Sequence, residues 1–73
     1  MVDIRFNEAD NAILGELNKG RVTAVFLERR IGWSREYITQ RLKRFEEHGI
    51  VKNLEGTGLY ELVDESALES SVE

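Results

Sequence analysis

Between Asn7 and Gly49 the apolar residues recur at intervals of three and four, and beyond Gly49 they do not. That change of period divides the chain. Ala9, Ile13, Leu14 and Leu17 fall on one helical face. Asn7 precedes them as a good N-cap, with Asp10 three positions on in the place of a capping-box acid. Gly20 is placed to close this segment as a left-handed cap, so the pattern predicts a first helix over 7–18. Arg21-Val22 reads as a short strand or as plain extended chain. Thr23 is the next N-cap candidate, Ala24, Leu27 and Ile31 share a face behind it, and Gly32 ends that second helix. Trp33 alone separates the glycine from Ser34, which caps a third helix over 34–48. Ile38, Leu42 and Phe45 form its apolar stripe, and Gly49 stops it.

After Gly49, "IVKNLEGTGLYELV" holds two short runs around "EGTG", the pattern of a tight β-hairpin in which Gly56 and Gly58 supply unusual φ values. Val51, Tyr60 and Leu62 are its expected inward residues. The last segment, "DESALESSVE", is acidic and serine-rich and reads as a frayed helix or a flexible tail. The expected class is α+β, three helices plus a C-terminal hairpin, with one domain over 1–63 and the tail over 64–73.

Composition narrows the setting. Seventy-three residues sit near the lower limit for folding without staples, and there is no cysteine to supply a disulfide or a thiolate site. No run approaches eighteen apolar residues, and "MVDIRFNEAD" lacks the layout of a signal peptide, so a cytoplasmic protein with no membrane partner is expected. Enzyme chemistry fails on inventory. One histidine (His48), no phosphate-cradling loop and no carboxylate pair in a plausible cleft leave no catalytic, cofactor or metal site to assemble. His48, at a helix C-terminus, is more simply a partner for the helix dipole.

Charge changes the picture most. The chain is −4 overall, yet residues 19–44 alone balance to +6, with −3 before them, −3 over 45–63 and −4 in the tail. "SREYITQRLKRF", Ser34 to Phe45, carries four of the ten cations. A local field of this kind matters more than net charge for a contact within a Debye length of about 8 Å. It points to an anionic partner, with nucleic acid as the first candidate.

Helix, short extended segment, helix, short turn, helix and hairpin is the order of a winged helix-turn-helix. The stretch from Thr23 to Leu62, above all "LERRIGWSREYITQRLKRFEEHGIV" and "GTGLYEL", resembles the MarR-like and ArsR-like prokaryotic transcription regulators. The acidic composition, with three Lys against seven Arg, also resembles proteins of haloarchaea or their viruses. The resemblance implies a recognition helix beginning at Ser34 that enters the major groove of double-stranded DNA.

The residues support the same assignment by themselves. At about 100° per residue, Arg35 and Thr39 lie on one flank of the third helix, and Glu36, Gln40, Lys43 and Glu47 on the face away from the core. Tyr37, Arg41, Arg44 and His48 take the other flank. Arg35, Thr39 and Gln40 suit base edges; Arg41, Lys43 and Arg44 suit phosphates; Ser34 offers a hydroxyl and free N–H groups at the helix start. Arg21, Arg29 and Arg30 of the second helix region would add phosphate contacts. Glu36 is out of place, and either accepts from a cytosine amino group or pairs with a neighbouring arginine. Tyr37 suits either the sugar-phosphate backbone or half-buried packing, and Trp33 suits the core. The hairpin tip carries no cation, so Thr57 and backbone N–H groups are its only expected phosphate contacts.

A single module of this size buries little surface, so a homodimer on a two-fold site is expected. Val2, Ile4 and Phe6 alternate ahead of the first helix and could pair with a partner copy, unless Phe6 folds back onto its own domain; Leu68 and Val72 are a second candidate. The reading from another class is a winged-helix protein-interaction module whose basic face meets an acidic protein.

Overall fold

A computed structural model describes residues 6–64. Three helices, α1 (Glu8–Leu17), α2 (Ala24–Ile31) and α3 (Arg35–Glu47), are followed by strand β1 (Val51–Asn53), a 3-10 turn (Leu54–Gly56) and strand β2 (Tyr60–Leu62). The two strands pair antiparallel, Val51 opposite Leu62 and Asn53 opposite Tyr60. The layout is α+β and compatible with a winged helix. Val2, Ile4, Leu68 and Val72, and all of the tail beyond Asp64, lie outside the described residues.

Each helix begins as its sequence requires. Asn7 accepts from the Asp10 N–H while the Asp10 carboxylate accepts from the Asn7 N–H, a complete capping box. Thr23 and Ser34 cap α2 and α3 through the N–H groups of Phe26 and Tyr37. The ends differ. Gly32 takes the predicted left-handed conformation after α2. After α3, Gly49 is left-handed at φ 75°, its N–H reaching the Glu46 carbonyl while the Ile50 N–H reaches that of Phe45. This is a Schellman motif, completed by the buried pair Ile50 and Phe45. Gly20 is not the left-handed cap expected of it. Instead α1 ends through Asn18, and the N–H groups of Lys19 and Gly20 bond the carbonyls of Glu16 and Leu17 in tighter i to i−3 fashion.

The core joins all elements. Ile13, Leu14 and Leu17 of α1, Leu27 of α2, and Ile38, Leu42 and Phe45 of α3 are buried together with Val22, Ile50, Val51 and Tyr60. Leu62 and Trp33 pack against this cluster, as does Phe6, whose ring meets that of Phe45 edge-on at 5.8 Å. Phe6 therefore folds back onto its own chain. Val22 resolves its ambiguity too: its N–H and carbonyl exchange bonds with Tyr60, adding an isolated bridge outside β2.

The hairpin is less tight than "EGTG" suggested. Residues 54–59 separate the strands, and Glu55 joins Gly56 and Gly58 at positive φ. The Leu54 N–H bonds the Leu59 carbonyl, and the Asn53 side chain accepts from the Gly58 N–H. A side-chain amide thus takes the place of a second backbone rung.

Tyr60 connects the hairpin to the core, and burial pushes its phenol above the ordinary 10.0, with the Glu46 charge acting in the same direction. An acid whose folded pKa is raised contributes its stability fully below the unfolded value and loses it as pH climbs through the folded one. Unfolding followed by Trp33 fluorescence should therefore show stability falling above about pH 10. Tyr60→Phe, which keeps the ring and removes the proton, should flatten that fall; an unchanged alkaline limb would show that Tyr60 is not its source.

Candidate nucleic-acid interface

What α3 offers outward follows from its packing on α2 and β1 and from the polar contacts it makes with α1. Asp10 lies in line with Ile13, Leu14 and Leu17, so the stripe that buries α1 also buries a carboxylate. Its oxygens accept from Arg41 Nε at 2.7 Å and Arg41 Nη2 at 2.6 Å, a two-pronged pair with Asp10 fully buried and the Arg41 side chain 19% exposed. The hydrogen bond it donates to Asp10 holds the Arg41 guanidinium above its usual value, against the opposing effect of burial. Beside it, the Asn7 side-chain amide donates to the Tyr37 hydroxyl at 2.8 Å. Asn7, Asp10, Tyr37 and Arg41 form one network across the α1–α3 contact.

Two expected DNA contacts take part in this network. Arg41 is committed to Asp10 through Nε and Nη2, which leaves Nη1 outside that pair. Tyr37 is half-buried with its hydroxyl accepting from Asn7, a contact that ties α3 to α1 and leaves its own O–H to donate. The sequence carried a signal for the pair: an acid at a core position of an apolar stripe requires a buried cation, and only the capping role of Asp10 was legible without the fold.

The remaining candidates divide by commitment. Gln40, Lys43 and Arg44 are exposed, with no hydrogen bond or ion pair among the described residues, and so is Arg29 on α2. Thr39 is half-buried on the flank next to them. Arg35, at the start of α3, reaches back across the turn to Glu28 of α2 at 3.3 Å. Arg30 is drawn the other way, to Glu16 of α1 at 3.4 Å and over the Phe26 ring at 5.9 Å. Arg21 pairs with Glu61, which Lys52 also approaches. These exposed pairs are worth about 0–1 kcal/mol and are screened by salt, so the guanidinium groups of Arg35 and Arg30 can exchange partners. Ser34 is exposed, its hydroxyl accepting from the Tyr37 N–H, which leaves its own O–H to donate.

The hairpin tip offers less than expected. The Thr57 hydroxyl donates to the Leu54 carbonyl at 2.7 Å and accepts from the Leu59 N–H. The N–H groups of Thr57 and Gly58 bond Leu54 and Asn53. Thr57 is therefore a turn-building residue, and these N–H groups are already satisfied within the loop. Beyond the basic surface, the described residues hold no cluster of acids and histidine suited to a metal ion and no helix long and apolar enough to cross a membrane. The outer side of α2 exposes Val25 and Phe26, at 41% and 45%.

Searches against protein-family models, curated proteins and solved structures find no match to this chain.

Arg41 and Arg44 lie three residues apart on one helix and should behave oppositely. Arg41→Ala strands the Asp10 carboxylate and should cost about 3 kcal/mol in urea unfolding. Arg44→Ala, at an exposed position without a partner, should stay within about 0.5 kcal/mol of the wild type. Similar midpoints for the two variants would remove the buried pair from its structural role.

Proposed function

We propose that the protein is a sequence-specific transcriptional regulator of double-stranded DNA, acting as a repressor, with α3 as the helix that enters the major groove. The observation that carries this reading is the outward side of α3. There Gln40, Lys43 and Arg44 stand exposed and uncommitted, while Ile38, Leu42 and Phe45 bury the opposite side. Donors in this position, on a helix that follows another across the short Gly32–Ser34 connection, fit a groove in which phosphates surround base edges.

The roles follow from reach and commitment. Gln40 and, once released from Glu28, Arg35 suit base edges; Thr39 contacts either an acceptor or a thymine methyl. Lys43, Arg44, Arg29 and Arg30 suit phosphates, and Ser34 donates to a phosphate at the start of α3. The hairpin supports the core and adds no cation at its tip. With a single module covering about 600–1,000 Å², a homodimer on a two-fold site supplies the rest of the affinity.

A second reading has one specific observation behind it. Val25 and Phe26, exposed side by side with Arg29 and Arg30, form an apolar-and-basic surface that fits an acidic protein segment better than it fits a duplex.

A ¹⁵N NMR titration with a mixed-sequence duplex at two salt concentrations separates the two. Shifts across Ser34–Arg44 and the outer face of α2 that weaken with salt support DNA binding. Absence of shifts at either salt sinks it, and leaves Val25 and Phe26 as the surface to probe. Within the DNA reading, Arg44→Ala should weaken all sequences alike and reduce the salt slope by about 0.9. Arg35→Ala and Gln40→Ala should each cost about 1–3 kcal/mol on a preferred sequence and little on others. Equal losses on all sequences for all three variants would abolish the division into base-reading and phosphate-holding residues.

A further inference from the structure

The side of α3 that points furthest from the core is not its most basic. With Ile38 as origin and about 100° per residue, the buried stripe centres near 0° and the opposite stripe, within roughly 40° of 180°, is Glu36, Gln40, Lys43 and Glu47. All four are exposed. A helix whose first turns enter the major groove carries the start of this stripe to the base edges, while residues further along, Lys43 among them, come out towards the phosphates. Glu36 stands in the first turn of α3, so it would enter the groove alongside Gln40.

The sequence leaves Glu36 two roles, and the fold removes one. Its neighbouring arginines face elsewhere: Arg35, about 100° around the helix, turns back to Glu28, and Arg41 is held by Asp10. Arg44 sits two turns further on and about 80° around the helix. No described residue pairs with Glu36. Its carboxylate therefore reaches any duplex unmasked.

An ionised carboxylate only accepts hydrogen bonds. In the major groove, guanine presents N7 and O6, thymine presents O4, and both repel it, as do phosphates. Adenine sets its amino donor beside the N7 acceptor, a pairing made for an amide. Cytosine N4 is the donor that a carboxylate satisfies alone.

Resting on the DNA-binding reading above, we infer that Glu36 is a specificity-determining residue that demands a cytosine opposite the first turn of α3. It does so as much by rejection as by attraction. On the wrong base the carboxylate is desolvated without a donor, so Glu36 lowers affinity for non-cognate DNA while contributing at the cognate site.

The test is selection of bound sequences from a pool of short duplexes with a randomised core, run in parallel with wild type, Glu36→Ala and Glu36→Gln. Wild type should enrich a motif with a fixed C·G pair. Glu36→Ala should lose discrimination at that pair by about tenfold and bind a mixed-sequence duplex more tightly than wild type does. Glu36→Gln, with an amide that both donates and accepts, should move the preference at that pair towards A·T. One and the same motif from all three proteins, or a wild-type motif without a fixed C·G, overturns the inference and leaves DNA binding standing. Binding with no enriched motif, or no binding, overturns the inference together with the reading on which it rests. A role confined to the helix dipole would shift the melting temperature slightly and leave the motif untouched, which also counts against it.

Discussion

A carboxylate removed from water must be matched in charge and in hydrogen bonds, and in this chain that constraint decides which cation of α3 the fold takes up. Asp10 is fully buried, yet all its demands are met by the Asn7 N–H and the two nitrogens of Arg41. A hydrophobic contact between α1 and α3 alone would tolerate rotation of either helix by part of a turn. A two-pronged guanidinium-carboxylate pair does not, because its geometry is directional. α3 packs chiefly against α2 and β1; the pair adds a directional tie to α1, and the Asn7–Tyr37 hydrogen bond holds the same contact one turn away. Such a pair adds little net stability over well-packed apolar residues. What it adds to the contact is direction.

The packing of α3 sorts the cations. The basic middle of the chain looks uniform as a sequence, but its members do different things once α3 is fixed. Arg41 is withdrawn into the fold. Lys19, Arg21, Arg30 and Arg35 are held loosely by Glu16, Glu61 and Glu28 at the surface. Arg29, Lys43 and Arg44 have no such partner among the described residues. Loose pairs between exposed groups are screened by salt and give way to a stronger anion at small cost. An acidic protein can present a basic surface in this way, with its excess acids placed elsewhere on the chain.

The hairpin shows the opposite economy. Its loop spends the Thr57 hydroxyl and the N–H groups of Thr57, Gly58 and Leu59 on its own closure, because Glu55 and two glycines at positive φ open the turn too far for a simple two-residue connection. What the hairpin delivers is Val51, Tyr60 and Leu62 to the core and a rung to Val22. In a domain this small those contacts seal the side of the core that the helices leave open.

Much of this was written in the sequence. Asn7, Thr23 and Ser34 mark where helices start, Gly32 and Gly49 where two of them stop, and the stripes through Leu14, Leu27 and Leu42 name the core, since each is a local rule acting within one turn of chain. The change of period after Gly49 announced the hairpin for the same reason. What the sequence could not decide were the matters settled between distant segments. The burial of Phe6 on Phe45, the rung between Val22 and Tyr60, and the engagement of Tyr37 by Asn7 join residues far apart along the chain. So does the Asp10–Arg41 pair, which ties an expected phosphate ligand into the fold. Local pattern says which face of a helix is apolar. Which charge on that face is taken out of water, and which is left to meet a partner, depends on what the fold places opposite it.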